Sequence, residues 1–372
     1  MASAPRAPRF TPLAESLPAT VPFVGPEAQE RTRGRSFRAR IGANESVFGP
    51  SPKAIAAMQH AAMDCWMYAD PENYDLKHAI ARHHGVAPEN IVVGEGIDAL
   101  LGYAVRLMVE PGDAIVTSLG AYPTFNFHVA GFGGRLVRVP YVGDREDPEA
   151  LAETARREDA KLVYFANPDN PMGSWWGNVD VQRLIESLPG GAVLLLDEAY
   201  SDTAPTDAVP PIDVSNPQVL RLRTFSKAYG LAGLRVGYAI GEANLIRSFD
   251  KIRNHFGVNR MAHVGALAAL ADQDYLSQVI SKISEARGRI GAISRANGLE
   301  PLPSATNFVA IDCGGDGAFA KRVLEELIAR DVFVRMPGVA PLDRCIRVSA
   351  GLDTDLAIFA EALPEALRAA RA

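Results

Sequence analysis

Apolar residues along this chain fall into short continuous runs that alternate with stretches of helical spacing. The continuous runs predict strands, which lie at 91–93, 114–117, 136–140, 161–165, 193–196, 219–225 and 236–240. Apolar positions spaced three and four residues apart predict helices over 52–63 and 75–84, and a third that ends at Val109. This alternation indicates an α/β fold, in which helices cover both faces of a mainly parallel sheet.

The pattern changes after about residue 265, where helical stretches come first and strands follow. The predicted helices are 262–271, 275–297 and 353–370, and the predicted strands lie near 307–312, 332–335 and 345–349. This order of elements is typical of a smaller α+β domain.

The first 40 residues are rich in Pro, Ala and Arg and have no clear period. We interpret them as an extended arm that packs on the chain's own second domain or on a partner subunit, with a disordered tail as the alternative. The predicted organisation is therefore an N-terminal arm (1–40), a large domain (41–262) and a small C-terminal domain (263–372).

Composition narrows the class of protein. The 372 residues are 48% hydrophobic and 22% charged, with a net charge of −6. An acidic balance disfavours nucleic acid or an anionic membrane as partner, because both require a basic face. No apolar run approaches the roughly 20 residues of a membrane span, and the N-terminus lacks the apolar stretch of a secretory signal. We expect a cytoplasmic protein.

The cysteines, Cys65, Cys313 and Cys345, are far apart in the sequence and show no paired spacing. Neither a disulfide framework nor a zinc site is indicated, and no metal site is predicted.

The segment 223–238 contains the most informative lysine. Lys227 directly follows a predicted strand and Ser226, and Arg235 comes eight positions later. A lysine that forms a Schiff base must lose its proton, and burial among cations lowers its pKa toward that state. Thr224, Ser226 and Arg235 offer the hydroxyls and the cation that a phosphate group requires. A surface lysine in a glycine-rich turn is the alternative.

Polar residues also follow two buried strands upstream of this segment. Asp197 closes the strand 193–196, and a carboxylate there can keep a pyridinium nitrogen protonated. Tyr200, three residues later, and Asn170, in a proline-containing turn, can reach a ring oxygen. Taken singly, Asp197 is equally typical of a cap on the next turn, and Asn170 of an ordinary turn.

The sequence Gly94-Glu95-Gly96-Ile97-Asp98 joins a strand to a helix, so amides at the helix start can face a phosphate. Tyr122 and Phe125 could place an aromatic face on a flat ring, although we favour core packing for Phe125.

Together these motifs resemble the fold-type I pyridoxal-phosphate aminotransferases, and they are most similar to the histidinol-phosphate aminotransferase branch of the class I/II group. The resemblance extends from about Ala43 to Gly351. Residues 42–52 are similar to that branch's Asn-Glu-Asn-Pro start, and 68–76 to its Tyr-Pro-Asp-Pro segment. The resemblance implies pyridoxal 5'-phosphate as cofactor and a large domain with a mainly parallel sheet.

The resemblance also implies a role for each matched residue. Lys227 would form the Schiff base and move the substrate's α-proton. Asp197 would pair with the ring nitrogen and Tyr200 and Asn170 with the ring oxygen, while Tyr122 would stack on the ring. The residues implied for the cofactor phosphate are Gly96, Ile97, Asp98, Thr224, Ser226 and Arg235. Tyr68 would reach the phosphate of the neighbouring subunit's cofactor, which implies a homodimer with shared active sites.

The residues implied for the substrate depart more from the family pattern. Arg347 matches the arginine that holds the α-carboxylate, Arg335 the arginine at a distal phosphate, and Asn44 opens the altered Asn-Glu-Ser-Val start. Phe23 replaces the usual tyrosine of the N-terminal arm. Histidinol phosphate and an aromatic or similarly bulky amino acid therefore both stay open as donors, the second supported by the aromatic residues Phe23, Trp66, Trp175, Trp176 and Phe256.

The expected reaction is a ping-pong transfer of an amino group from an amino acid or amino-alcohol phosphate to a 2-oxo acid. A pyridoxal-phosphate decarboxylase would share all the cofactor residues, so it remains the alternative of another class. A non-catalytic sensor is less favoured, because such proteins normally carry a DNA-binding module and the arm before residue 40 is too short for one.

Overall fold

In the computed structural model, which describes residues 7–19 and 24–372, helices and strands alternate along most of the chain. The α-helices are α1 (Pro12–Ser16), α2 (Pro26–Arg33), α3 (Pro52–Ala61), α4 (Tyr74–His84), α5 (Gly96–Met108), α6 (Pro123–Gly131), α7 (Pro148–Arg157), α8 (Asn178–Glu186), α9 (Ala243–Ser248), α10 (Arg260–Leu270), α11 (Gln273–Ala296), α12 (Gly317–Ala329) and α13 (Asp353–Arg371). The strands are β1 (Ala39–Arg40), β2 (Ile91–Gly94), β3 (Ala114–Ser118), β4 (Arg135–Val139), β5 (Leu162–Ala166), β6 (Val193–Asp197), β7 (Val219–Thr224), β8 (Gly237–Ile240), β9 (Glu300–Pro301), β10 (Phe308–Asp312), β11 (Val332–Phe333) and β12 (Cys345–Ser349).

The largest sheet has seven strands in the order β2-β8-β7-β6-β5-β3-β4. Neighbouring strands from β4 to β7 are parallel, whereas β8 runs antiparallel to both β7 and β2. The predicted mainly parallel sheet is therefore confirmed, with one reversed strand near an edge.

Helices cover both faces of this sheet, which explains why its central strands are mostly apolar. Successive residues of β5 show the arrangement: Leu162 and Tyr164 pack in a core with α5 and α6, while Val163 and Phe165 pack in a separate core with α7 and α8. The central strand β6 likewise places Leu195 in the first core and its neighbours in the second.

The C-terminal part contains a three-stranded antiparallel sheet, β12-β10-β9, packed with α11, α12 and α13 around a third core. The segment 24–40 lies against this part. Its strand β1 pairs in parallel with β11, and Arg33 and Arg35 form ion pairs with Asp331.

Most predicted strands occur within one or two residues of their expected bounds, but one strand was predicted too long and several helices, α6, α7, α8, α9 and α12 among them, were not predicted. The predicted strand 332–335 ends at Phe333, and Arg335 forms only an isolated bridge with Arg347. Helix α6 escaped prediction because its apolar residues Phe125, Phe127 and Val129 are spaced by two, as in a strand. Phe125 and Val129 are buried, so packing decided this helix.

The fold places several loops at one edge of the large sheet. Strands β3, β5, β6 and β7 are parallel, so their carboxyl ends meet at this edge, where ligands bind in open α/β sheets. The turn from β2 to α5 reaches the same edge, because Gly94 pairs with Gly237 and Gly237 with Thr224. In residues 7–19 and 24–372, no helix combines the length and apolar character needed to cross a membrane.

The loop after β7 depends on a glycine that packs against another backbone segment. Gly230 has a φ of +71°, and its amide donates to the Lys227 carbonyl over 3.0 Å. A Cβ at this position would lie 2.4 Å from the carbonyl oxygen of Gly49. The lysine loop and the segment before α3 can approach this closely only because residue 230 is glycine.

We expect Gly230→Ala to destabilise the protein more than Gly85→Ala, which is the matched control. Gly85 has a similar φ of +68°, but no atom lies within 4 Å of its added Cβ. The left-handed backbone costs alanine roughly 1–2 kcal/mol at both positions, and the clash at Gly230 adds about 1–3 kcal/mol. Urea unfolding at fixed protein concentration measures the difference; equal losses would show that the 49–50 segment moves aside without cost.

Candidate active site

Two adjoining cavities open at the carboxyl edge of the large sheet. The first has a volume of about 240 Å³ and the second about 540 Å³, and both are lined by Ala43, Tyr122, Asn170 and Lys227. The first cavity also reaches residues expected to bind the cofactor, namely Ile97, Asp98, Asp197, Tyr200, Thr224, Ser226 and Arg235. The second also reaches Asn44, Arg335 and Arg347. The structure thus brings together residues that lie as far apart in the sequence as Ala43 and Arg347.

Lys227 lies where the two cavities meet. Its Nζ donates to the carbonyl of Asn44 over 3.3 Å and lies 5.6 Å from the centre of the Tyr200 ring. Loss of hydration on burial, assisted by the charges of Arg347 and Arg235, lowers the pKa of Lys227 to about 8, although Asp197 opposes the shift. The uncharged form, which can act as a nucleophile or base, is therefore far more populated near neutral pH than in an exposed lysine.

Asp197 forms the floor of the first cavity at the end of β6 and is 6% exposed. The Tyr164 hydroxyl donates to Oδ2 over 2.7 Å, and the Ala199 amide donates to Oδ1 over 2.9 Å. Burial raises the pKa of Asp197, while these two hydrogen bonds and the charge of Lys227 oppose the rise. Within the described residues it has no salt-bridge partner, so a cationic group in the cavity would find an available carboxylate.

Asn44 connects the N-terminal part of the chain to this site. Its backbone is in the left-handed region, with a φ of 56°, and its amide donates to Ser349 Oγ over 3.0 Å. Its Nδ2 donates to the Tyr200 hydroxyl over 3.1 Å. Asn307 Nδ2 donates to the Asn44 carbonyl over 3.0 Å, so this carbonyl accepts hydrogen bonds from both Asn307 and Lys227. Burial raises the pKa of Tyr200, so its hydroxyl remains a hydrogen-bond donor at neutral pH.

Hydroxyls, a guanidinium and a helix start converge at the opposite end of the first cavity. Thr224 Oγ1 donates to Ser226 Oγ over 3.0 Å, and Arg235 Nη1 lies 3.4 Å from the same oxygen. Gly96 has a φ of +85°, and a Cβ there would lie 2.7 Å from Arg235 Nη2. The first amides of α5 have no partner inside the helix, so this end of the cavity favours an anion.

Asp98 and Phe125 each contact a neighbouring side chain. Asp98 Oδ1 lies 3.0 Å from Nε2 of His128, so its carboxylate is engaged beside the helix start. Phe125 is fully buried and stacks on Tyr164 with ring centres 4.9 Å apart, which confirms its expected core position. Tyr122 lines both cavities, and burial raises its pKa.

Arg347 and Arg335 line the second cavity side by side. The Arg347 amide donates to the Arg335 carbonyl over 2.6 Å, and Arg347 Nη1 donates to Asn170 Oδ1. Its Nε is buried without a hydrogen-bond partner in the described residues. Burial is the main cause that lowers the pKa of Arg347 to about 10, so it stays charged at neutral pH. Arg335 Nη2 donates to the Val24 carbonyl over 3.0 Å. Two cations in one cavity suit an anionic ligand.

The remaining predicted residues lie elsewhere. Tyr68 is 79% exposed, outside both cavities, and its ring packs at a tilt against Phe256, with centres 4.8 Å apart. Phe23 lies outside the described residues, next to Val24.

Several partners of the site residues were missed from the sequence, among them Asn307 and Ser349, which contact Asn44, and Tyr164. Tyr164 lies on β5 and reaches Asp197 on β6, two positions along the ladder from the Ala166–Asp197 pair. Only the register between these strands could have indicated the contact.

The two ends of the first cavity fit one kind of molecule. A ring with a basic nitrogen suits Asp197, a phosphate suits Ser226, Arg235 and the start of α5, and an aldehyde would meet the amine of Lys227. Pyridoxal 5'-phosphate has these three features, so the residues present fit the cofactor that the sequence predicted.

Comparisons with known proteins agree with this geometry. The family model described as "Aminotransferase class I and II" matches residues 40–363. The histidinol-phosphate aminotransferase of Moorella thermoacetica is 33% identical over 356 residues, covering 95% of this chain and 91% of the relative. Histidinol-phosphate aminotransferase 2 of Carboxydothermus hydrogenoformans is 34% identical and covers 93% of this chain and 95% of the relative.

Among solved structures, the histidinol-phosphate aminotransferase from Sinorhizobium meliloti, in complex with pyridoxal-5'-phosphate, is 58% identical. The match covers 98% of both chains with a TM-score of 0.95. The predicted type of fold, the aminotransferase activity and the pyridoxal-phosphate cofactor are confirmed. The chain belongs to the class I and II aminotransferases and is a pyridoxal-phosphate-dependent transaminase of fold type I.

Proposed function

We propose that this enzyme transfers the amino group of histidinol phosphate to a 2-oxo acid, with Lys227 as the catalytic base. The observation that carries the proposal is the position of Lys227, whose amine lies between a cavity suited to the cofactor and a cavity that contains Arg335 and Arg347. The names of the relatives that match nearly the whole chain support the choice of donor.

For the cofactor, we assign the ring nitrogen to Asp197 and the ring oxygen to Tyr200 and Asn170, with Tyr122 stacked on the ring. The phosphate is assigned to the amides of Gly96, Ile97 and Asp98 and to the side chains of Thr224, Ser226 and Arg235. When bound, pyridoxal phosphate supplies an aldehyde that condenses with amines and a ring that withdraws electrons from the substrate's α-carbon.

The chain's own residues then have distinct tasks. Lys227 Nζ removes the proton from the donor's α-carbon, for which it must be uncharged, as its lowered pKa allows. Tyr200 acts as a hydrogen-bond donor whose hydroxyl is oriented by Asn44. The carboxylate of Asp197 is kept in place by Tyr164 and the Ala199 amide, so it can face the ring without reorganising.

For the substrates, Arg347 is assigned to the α-carboxylate of the acceptor and Arg335 to the distal phosphate of the donor. A guanidinium can bind either anion with two parallel hydrogen bonds. Asn44 contributes through its contacts with Lys227 and Tyr200. Phe23 is assigned to the same site because its neighbour Val24 accepts a hydrogen bond from Arg335.

We also propose that the enzyme is a homodimer in which Tyr68 reaches the partner's cofactor phosphate. Large exposed apolar side chains in and around the segment 63–68 support this assembly: Met63, Trp66 and Tyr68 are 88%, 81% and 79% exposed, and Phe256, which is 56% exposed, packs against Tyr68. A patch of this kind normally marks a protein–protein contact. Tyr68 lies in the patch and outside its own chain's cavities, which suits a residue that serves a neighbour.

The proposed division of the chain is an arm (1–40), a large domain (41–262) and a small domain (263–372), in a cytoplasmic enzyme. The core around β10, β12, α12 and α13 is distinct from those on the two faces of the large sheet, which supports a separate small domain. Helix α10 packs instead in a core with β2, β8, α3 and α4 of the large domain. Helix α10 begins at Arg260, so the proposed boundary falls in its first turn.

Lys227→Ala should abolish transamination and the visible absorption band of the lysine-bound cofactor, because no other amine occupies that position. Borohydride reduction of the wild-type enzyme, followed by peptide mass spectrometry, should place the pyridoxyl group on Lys227. Lys251→Ala, on the same domain, is the control and should retain both properties. A pyridoxyl group on another lysine would contradict the assignment.

The pH dependence of the Lys227 amine follows from its lowered pKa. In the apoenzyme, its reaction with an acylating reagent should rise with pH and reach half its limit near pH 8, whereas an exposed lysine does so near pH ~10.4. Arg347→Met should move this midpoint upward, because it removes a cation that disfavours the protonated amine. Arg135→Met, at an exposed pair, should leave it unchanged. A midpoint that moves downward in Arg347→Met would contradict this account.

Arg335 is expected to distinguish donors by their phosphate. Arg335→Gln should raise KM for histidinol phosphate by roughly 10- to 100-fold, the range expected for a lost hydrogen bond to a charged group of about 1.5–3 kcal/mol. KM for histidinol or phenylalanine should change little. Arg135→Gln again serves as control. Equal effects on phosphorylated and unphosphorylated donors would remove Arg335 from the phosphate site and favour a bulky unphosphorylated amino acid.

A further inference from the structure

Arg344, three residues before Arg347, joins two parts of the fold. Its Nη1 and Nη2 donate to the two oxygens of Asp144 over 2.9 and 2.7 Å, and its Nε donates to Asp312 Oδ2 over 2.7 Å. Asp312 lies on β10 and is the cross-strand neighbour of Cys345 on β12. Asp144 lies instead in the connection between β4 and α7, beside the large sheet. Only the Asp144 contact therefore crosses between the two sheets.

Asp144 lies in a tight turn that fixes its direction. Val142 and Arg145 form an antiparallel bridge, with the Val142 amide donating to the Arg145 carbonyl over 2.9 Å. The two central residues, Gly143 and Asp144, have φ values of 56° and 65°, as in the twisted two-residue turns of hairpins. A turn this short holds the carboxylate with little freedom, which suits a bidentate contact with Arg344.

The same turn is attached on both sides to the loop that carries Asn170. Before the turn, the Tyr141 hydroxyl donates to Asp169 Oδ1 over 2.8 Å. After it, the Trp176 indole donates to the Glu146 carbonyl over 2.8 Å. The Asp144 turn and the Asn170 loop are thus one connected unit, to which Arg344 and Arg347 both bind.

Residues 335–339 form one wall of the second cavity. Arg335, Met336, Pro337, Gly338 and Val339 all line it, opposite the loop 119–123 after β3. A Cβ on Gly120 would lie 3.0 Å from Leu342 Cδ1 and 3.4 Å from Val339 Cγ2, so the two walls are in close contact at this point. Arg344 lies five residues after Val339 and links this segment to Asp144 of the large domain.

We propose that Arg344 is a positioning residue for substrate binding, which acts by fixing the wall 335–339 against the large sheet through Asp144. Arg344 does not line either cavity, so it acts through the residues that do. The proposal rests on assigning the second cavity to the substrate, as in the proposed function. It predicts a loss of substrate affinity with little change in the rate of the bound complex, because the chemistry at Lys227 is untouched.

The test measures the half-reaction of the holoenzyme with histidinol phosphate by the absorbance of the cofactor, which separates half-saturation from the limiting rate. Arg344→Gln and Asp144→Asn should each raise the half-saturating concentration about 5- to 10-fold and change the limiting rate less than about 2-fold. The double variant should be no worse than either single one, because both changes break the same contact. Arg344→Lys should recover part of the affinity.

The matched control is Asp312→Asn. It removes another hydrogen bond of Arg344, but one within the C-terminal sheet, and it should leave half-saturation near the wild-type value. An effect as large as that of Asp144→Asn, or additive effects of Arg344→Gln and Asp144→Asn, would overturn the proposal. If Arg344→Gln does not fold, the comparison of Asp144→Asn with Asp312→Asn decides the question.

Failure of the proposed function has a different signature. If wild-type enzyme shows no half-reaction with histidinol phosphate, the choice of donor is wrong, and the same variants are compared with the amino acid that does react. The positioning role is then tested by whether the effects of Arg344→Gln and Asp144→Asn on half-saturation by that donor are non-additive.

Discussion

The site depends on lowering the pKa of the Lys227 amine in a place that also needs positive charge. Burial removes its hydration, and Arg347 and Arg235 add repulsion, so its pKa falls to about 8. In the proposed function those cations also bind the anionic ends of the cofactor and substrate. Asp197 limits the effect, because its carboxylate attracts the protonated amine. One set of charges is therefore proposed both to activate the lysine and to bind its ligands.

This arrangement requires a fold that brings distant segments to one edge. Parallel strands supply Asp197, Thr224 and the Asn170 loop at their carboxyl ends, as open α/β sheets do. The N-terminal segment adds Asn44, whose carbonyl accepts from Lys227 and whose side chain donates to Tyr200. The C-terminal part adds its arginines from a separate sheet. The second cavity is consequently bounded by elements that meet only through tertiary contacts.

Much of the large sheet could be predicted, because strands buried on both faces are mostly apolar. Helix α6 could not, since Phe125, Phe127 and Val129 alternate as in a strand, and only packing selected the helical form. Arg335 was similarly placed in a strand that ends at Phe333. In both cases the local sequence pattern favoured a strand, and tertiary contacts determined the structure that forms.

The sequence alone determined the chemistry at the first cavity. Lys227, Asp197 and the glycine-rich turn at Gly96 lie in short motifs, where neighbouring residues already indicate a Schiff-base lysine, a ring partner and a phosphate cradle. Only the tertiary structure decided what supports these groups. The contact of Tyr164 with Asp197 depends on strand register, and that of Arg344 with Asp144 on the approach of two sheets. Such contacts join residues with no local relation in the sequence, so no motif records them.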